Sequence, residues 1–232
     1  MANVVPMPDP AMAEVHGTRD RFPVRRVYCV GRNYAAHARE MGFDPDRDPP
    51  FFFCKPADAV VSVPEGSVAS IPYPPRTSNY HHEVELVVAI GREGANIPVE
   101  SAADHVWGYA VGLDMTRRDL QFAMRDKGRP WELGKAFDAS APMGPLLAAS
   151  QAPDIGRAGI WLDVDGERRQ SSSIAHLIWS IPETISYLSE YFQLMPGDLI
   201  FTGTPEGVGA VEAGATLHAH VDGLPELKIR IV

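Results

Sequence analysis

The segment His82-Glu83-Val84-Glu85-Leu86-Val87-Val88-Ala89-Ile90 constrains the fold more than any other. Successive side chains of a strand point to opposite faces. From Leu86 onward both faces of this run are apolar, so a strand over residues 83–90 must be covered on both sides. Glu83 and Glu85 stand at i and i+2 and share a face, while Val84 points the other way. A Glu-x-Glu on a strand is ordinarily a solvated face, but the apolar run that follows argues against a wet edge. A third acid, Asp114, follows another strand-like run in Gly112-Leu113-Asp114-Met115-Thr116. Three carboxylates meeting at a half-buried point repel one another strongly unless a divalent cation sits among them. An all-oxygen set of this kind favours Mg²⁺ or Mn²⁺ over zinc.

The chain that carries these acids has 232 residues, 45% of them hydrophobic, enough for one domain with its own core. Further short strands, bounded by Gly, Pro or Asp, are expected at 24–30, 51–54, 59–63, 106–113, 160–164, 199–202 and 217–221. Helical patterns are fewer: 34–41, capped by Asn33 and closed by Gly42, then 116–127 and 182–192. Residues 43–50 read as a solvated loop, 1–23 as an irregular N-terminal arm and 24–232 as a single domain. Strands outnumber helices without alternating with them, which points to a strand-rich α+β fold and away from a doubly wound parallel sheet.

A net charge of −9 disfavours nucleic acid as a partner. No run approaches the ~20 apolar residues needed to span a bilayer, and the proline-dotted start does not resemble a signal peptide. Cys29 and Cys54 lie in apolar runs, so both are expected as buried thiols of a reduced, cytoplasmic protein. The Gly-rich stretch at 202–209 lacks the Gly-Lys-Ser/Thr ending of a phosphate loop.

Six ordered motifs carry a resemblance: Val30-Gly31-Arg32-Asn33-Tyr34-Ala35-Ala36-His37, Phe53-Cys54-Lys55-Pro56, His82-Glu83-Val84-Glu85-Leu86, Gly112-Leu113-Asp114-Met115-Thr116-Arg117-Arg118-Asp119-Leu120-Gln121, Lys135-Ala136-Phe137-Asp138, and Pro196-Gly197-Asp198-Leu199-Ile200-Phe201-Thr202-Gly203-Thr204-Pro205. In order and spacing they resemble the fumarylacetoacetate hydrolase superfamily. The resemblance implies a mixed β-roll or β-sandwich catalytic domain with few short helices, usually dimeric, that binds Mg²⁺ or Mn²⁺ and acts on small anionic 2-oxo acids. Within the superfamily the chain looks most like bacterial fumarylpyruvate hydrolases or acylpyruvases, which cleave the carbon–carbon bond of a 3-acylpyruvate.

On that resemblance Glu83, Glu85 and Asp114 are the metal ligands. His37 and Glu40, at i and i+3, are the base pair of a lid, although such a pair by itself is ordinary helix pairing. Lys135, which a bland reading leaves on the surface, becomes an electrostatic group beside the metal. Lys55, Arg118, Gln121 and Thr204 are expected to bind substrate, with a structural salt bridge at an exposed helix an equal alternative for Arg118. Arg47 is a candidate for a far carboxylate. Two other readings stay open: an oxaloacetate decarboxylase or 2-oxo-acid isomerase on the same metal site, and a non-catalytic metal or 2-oxo-acid binder. His218 and His220 share a strand face and are read as polar surface.

Overall fold

The computed structural model describes residues 3–35 and 48–232. The expected helix over 34–41 and loop over 43–50 lie largely outside those residues, as do His37, Glu40 and Arg47.

A mixed sheet forms the centre in the order β4-β3-β15-β8-β9-β11-β5. Its strands are β3 (Arg26–Gly31), β4 (Phe51–Lys55), β5 (Val60–Ser62), β8 (Val84–Ile90), β9 (Val106–Leu113), β11 (Ala141–Met143) and β15 (Asp198–Phe201), with β12 (Leu147–Ala148) added to β9. The pairs β3/β15 and β5/β11 are parallel and the others antiparallel. A second sheet packs on one face in the order β14-β13-β17-β18-β6. It contains β6 (Ala69–Ile71), β13 (Gly159–Val164), β14 (Glu167–Ser173), β17 (Thr216–Val221) and β18 (Leu227–Ile231). A small ribbon of β7 (Tyr80–His82), β10 (Thr116–Arg117) and β16 (Gly209–Ala210) continues from the end of β8. The helices used below are α1 (Arg118–Arg125), α2 (Glu132–Lys135) and α3 (Ile181–Tyr191). This is the strand-rich α+β fold with few short helices. Among the described residues no helix is long and apolar enough to cross a membrane.

Strand β8 is buried on both faces, and its alternation divides the interior. Val84, Leu86, Val88 and Ile90 join the larger core with Ile160, Leu162 and Leu217 of the second sheet. Val87 and Ala89 join a smaller core with Val27, Cys29, Leu199 and Phe201. Each such side chain gains roughly 1.5–3 kcal/mol on full burial, and a one-residue slip of β8 would exchange the side chains that fill the two cores and turn Glu85 to the opposite face. Opposite Glu85 in the ladder stands Gly112, where a Cβ would come within 2.5 Å of Val87 Cγ2 and 2.7 Å of Phe201 Cε1. Only glycine allows that closeness.

Several sequence expectations change. Over part of its length the N-terminal arm is ordered: β1 (Met12–Glu14) and β2 (Arg21–Pro23) form a hairpin whose Ala13 and Phe22 complete the smaller core. Their short length and flanking prolines and charges hid them. The helix expected from Thr116 starts at Arg118, because Thr116 and Arg117 are held as β10 against β7. Strand β14 was missed because Glu167, Arg168 and Arg169 give no apolar alternation. Cys54 is exposed, whereas Cys29 is buried as expected.

Candidate active site

Glu83 occupies the one-residue break between β7 and β8, not a strand position, yet the acids still converge. Asp114 follows β9 directly, and its N–H donates to the Glu83 carbonyl at 2.9 Å, closing the strand pair beneath the site. Glu85 is the second residue of β8. Ligand atoms of Glu83, Glu85 and Asp114 lie within 4.8 Å of one another, and the side chains are buried at 5%, 2% and 1% exposure.

Three buried cations answer these three acids. Lys135 Nζ, at the end of α2, donates to Glu83 Oε2 at 2.8 Å, Asp114 Oδ2 at 2.7 Å and Thr116 Oγ1 at 2.7 Å. Burial pulls its ammonium down, but Asp114 and Glu83 outweigh burial and hold it above its ordinary value. Lys55 Nζ, at the end of β4, lies 2.9 Å from Asp114 Oδ1 and also donates to the Lys135 and Met115 carbonyls. Arg118, at the start of α1, pairs with Glu83 Oε1 and donates to Gln121 Oε1, both at 2.5 Å. Arg118 is thus buried inside the cleft, not on an exposed helix, and Lys135 is not on the surface.

Gly134 makes this placement of Lys135 possible, since a Cβ there would meet backbone atoms of Gln121 at 2.8 Å. Glu85 is held differently: among the hydrogen bonds of the described residues it accepts one from Gly203 N–H at 2.8 Å. Burial first, then Asp114 and Glu83, push its carboxyl well above the ordinary 4.5. A buried oxygen-donor cluster whose carboxyl resists ionisation for want of positive charge fits a hard divalent cation.

The acids, Lys135, Arg118, Gln121 and Thr204 line a single cleft with an empty volume of about 480 Å³, walled by Phe53, Phe122 and Trp131. Lys55 lies behind it. Thr204 is fixed by Gln170, whose Nε2 donates to Thr204 Oγ1 at 2.9 Å and to the Pro205 carbonyl at 2.8 Å. Gln170 Oε1 in turn accepts the Val84 N–H at 3.0 Å and lies 3.0 Å from His82 Nδ1. The sequence offered no signal for Gln170, which sits in the charged strand β14. His82 serves this network, and His81 lies 3.4 Å from Arg118 Nε. Asn33 ties the cleft loops together, its Nδ2 donating to the Thr202 and Trp179 carbonyls at 2.8 and 3.0 Å. His218 and His220 lie outside the cleft, on β17, with Glu226 3.0 Å from His218 Nε2.

A buried carboxylate triad that fits a divalent cation, ringed by lysines and an arginine at the floor of a strand-rich cleft, defines a metal-dependent enzyme acting on a small anion. The chain belongs to the fumarylacetoacetate hydrolase family: residues 26–232 match the family described as fumarylacetoacetate (FAA) hydrolase C-terminal. It is an enzyme of that family's carbon–carbon-bond hydrolase class.

A fumarylpyruvate hydrolase from Ralstonia sp. is 46% identical over 181 residues, 78% of this chain and 92% of that one. A mitochondrial oxaloacetate tautomerase from Rattus norvegicus is 43% identical over 207 residues, 89% of this chain and 91% of that one. The crystal structure of fumarylpyruvate hydrolase from Pseudomonas aeruginosa, in complex with Mn²⁺ and pyruvate, is 64% identical. It superposes with a TM-score of 0.98 over 100% of this chain and 99% of that one.

Proposed function

We propose that the protein hydrolyses the carbon–carbon bond of a 3-acylpyruvate, fumarylpyruvate in the first instance, to fumarate and pyruvate, through one catalytic unit over residues 24–232. The observation that carries this is the balanced cluster of three acids and three cations at the floor of the cleft, in a chain 64% identical to a fumarylpyruvate hydrolase crystallised with Mn²⁺ and pyruvate. Glu83, Glu85 and Asp114 would hold Mg²⁺ or Mn²⁺. When bound, the cation supplies a Lewis acid that polarises the 2-oxo acid.

The chain's own groups do the rest. Arg118, Gln121 and Thr204 present donors that orient the pyruvyl carboxylate. His37, with Glu40 orienting it, removes a proton from water, which attacks the acyl carbonyl carbon. The new C–O bond gives a tetrahedral oxyanion, whose collapse breaks the bond to the methylene. The electron pair leaves with pyruvate as its enolate, opposed by the Lys135 charge, and the proton held on His37 returns to that carbon. His37 and Glu40 take these roles from sequence alone.

A second reading, oxaloacetate tautomerisation or decarboxylation, is favoured by the 43% identical tautomerase, and it needs the same enolate stabilisation without the water step. Steady-state turnover of metal-stripped protein resupplied with Mn²⁺ tests the choice among fumarylpyruvate, acetylpyruvate and oxaloacetate. A kcat/KM for fumarylpyruvate at least tenfold above the others is the expected result. Preference for oxaloacetate overturns the hydrolase reading. The working unit in this reading is a homodimer, checked by light scattering on the eluted protein.

A further inference from the structure

Helix α1 turns one face to the cleft: Arg118, Gln121, Phe122 and Arg125, at i, i+3, i+4 and i+7, all line it. Arg118 is engaged at the acid cluster. Arg125 stands seven residues on, about 10 Å further along the helix axis. The Phe122 ring lies between them, its centroid 5.8 Å from Arg118 Cζ and 4.4 Å from Arg125 Cζ. Arg32, just beyond β3, lines the same cleft with its guanidinium 5.2 Å from the Phe51 ring centroid.

Two features single out this outer pair. Of the five described non-glycine residues with positive φ, Arg32 alone lines the cleft, at φ 57°. Glycine would take that backbone at no steric cost, so an arginine there is retained against local strain. Burial, and then the charge of Arg125, push the Arg32 guanidinium down from its ordinary value, with Asp48 opposing. Two like charges held at one side of a cleft form a receptor for an anion. Arg125 Nε and Nη2 both lie 2.9 Å from Asp126 Oδ1, but that carboxylate is 62% exposed, and so solvated a pair exchanges readily for a ligand.

We infer that Arg32 and Arg125 form a subsite for the far carboxylate of an extended 2-oxo dicarboxylate whose other end is held at Arg118 and the acid cluster. This rests on the hydrolase reading and narrows it to acyl groups that end in a carboxylate. The carboxyl carbons of fumarylpyruvate are six bonds apart, about 8 Å at some 1.25 Å per bond, which suits the separation of the two arginine positions. Oxaloacetate, with three bonds, spans only about 4 Å by the same measure and cannot reach both. Phe122 supplies a flat apolar contact for the carbons between.

Binding to the Mn²⁺-loaded protein tests the subsite apart from turnover. The probes are 2-oxoheptanedioate, which has the same carbon span but no bond to hydrolyse, and its monocarboxylate partner 2-oxoheptanoate. Calorimetry should show the diacid bound at least tenfold more tightly by the unaltered protein. Arg32→Gly and Arg125→Gln should each weaken the diacid about 10- to 100-fold, the worth of a charge-assisted hydrogen bond, and leave the ratio of the two probes near one when combined. Arg32→Gly should also unfold at the same or a higher temperature, which separates lost recognition from lost fold. Equal affinity of the unaltered protein for both probes, or a ratio that survives both substitutions and falls only with Arg47→Ala, overturns the subsite. A retained binding preference without turnover of any acylpyruvate overturns the hydrolase reading and leaves the subsite standing.

Discussion

Replacing Lys135 by Met removes the charged end and keeps most of the length of the side chain. Its Nζ bridges Glu83 at 2.8 Å and Asp114 at 2.7 Å, and all three side chains are buried. Breaking a buried ion pair in this way costs about 3–5 kcal/mol. For a chain of this size each kcal/mol moves the unfolding temperature by roughly 2–4 °C, so the metal-free variant should melt about 6–20 °C below the unaltered protein. A divalent cation reverses the sign. Lys135 would repel any cation held by these two carboxylates, because like charges in a buried site are poorly screened. Lys135→Met should therefore bind Mn²⁺ at least tenfold more tightly, and its metal-induced rise in melting temperature should exceed that of the unaltered protein. Turnover should nevertheless fall at least 100-fold, since the charge that opposes the developing enolate is gone. Scanning calorimetry with and without Mn²⁺, together with titration calorimetry, measures both signs. A metal-free melting temperature within about 2 °C of the unaltered protein, or weaker Mn²⁺ binding, would refute the argument.

Other outcomes follow from the same geometry. Burial, then Asp114 and Glu83, raise the Glu85 carboxyl well above 4.5, so below that raised value Mn²⁺ must displace a proton from it. Below the raised value, affinity should climb with pH and binding should release a proton, while the metal-free fold loses stability as pH rises from 4.5 through the raised value. Proton release in a pH-stat that is unchanged by Glu85→Gln would count against this. Gly134→Ala places a Cβ 2.8 Å from the Gln121 backbone and should cost about 1–3 kcal/mol, visible as a lower denaturant midpoint. Cys29 is buried and its thiol is pushed well up, first by burial and next by Asp114, whereas Cys54 is exposed. A thiol reagent should therefore titrate one cysteine in the native protein and both after denaturation.

What the sequence made legible were features with a local period or a fixed spacing. The two-faced apolar run after Glu85 announces a central strand, and β8 is one. The helical pattern over 182–192 announces a helix, and α3 lies there, its start closed by the Ser180 N–H bonded to the Glu183 carboxylate at 3.0 Å. Hidden were features created by tertiary contact. Strand β14 is charged along its exposed half and becomes a strand only because β13 pairs with it. Gln170, the one fully inward residue of that strand, then reaches Thr204, Pro205, His82 and Val84, and no motif marks it. The sequence alone makes Glu83 and Glu85 neighbours on one strand face. They converge instead across a strand break, because Asp114 N–H clamps the Glu83 carbonyl.

The charges of the cleft suit the 2-oxo acid of the proposed reaction. Among the described residues, the three acids are balanced by Lys55, Lys135 and Arg118, so the cluster can preassemble without the repulsion three bare carboxylates would suffer. The balance is uneven, however: both lysines and the arginine bond to Asp114 or Glu83, and Glu85 has only a backbone N–H among its described hydrogen bonds. A divalent cation that displaces the Glu85 proton leaves the site with two positive charges in excess. A 2-oxo acid brings one negative charge on its carboxylate and acquires a second as the enolate forms. The excess charge is therefore cancelled only as the enolate develops, which is differential stabilisation of the reacting state over the bound substrate.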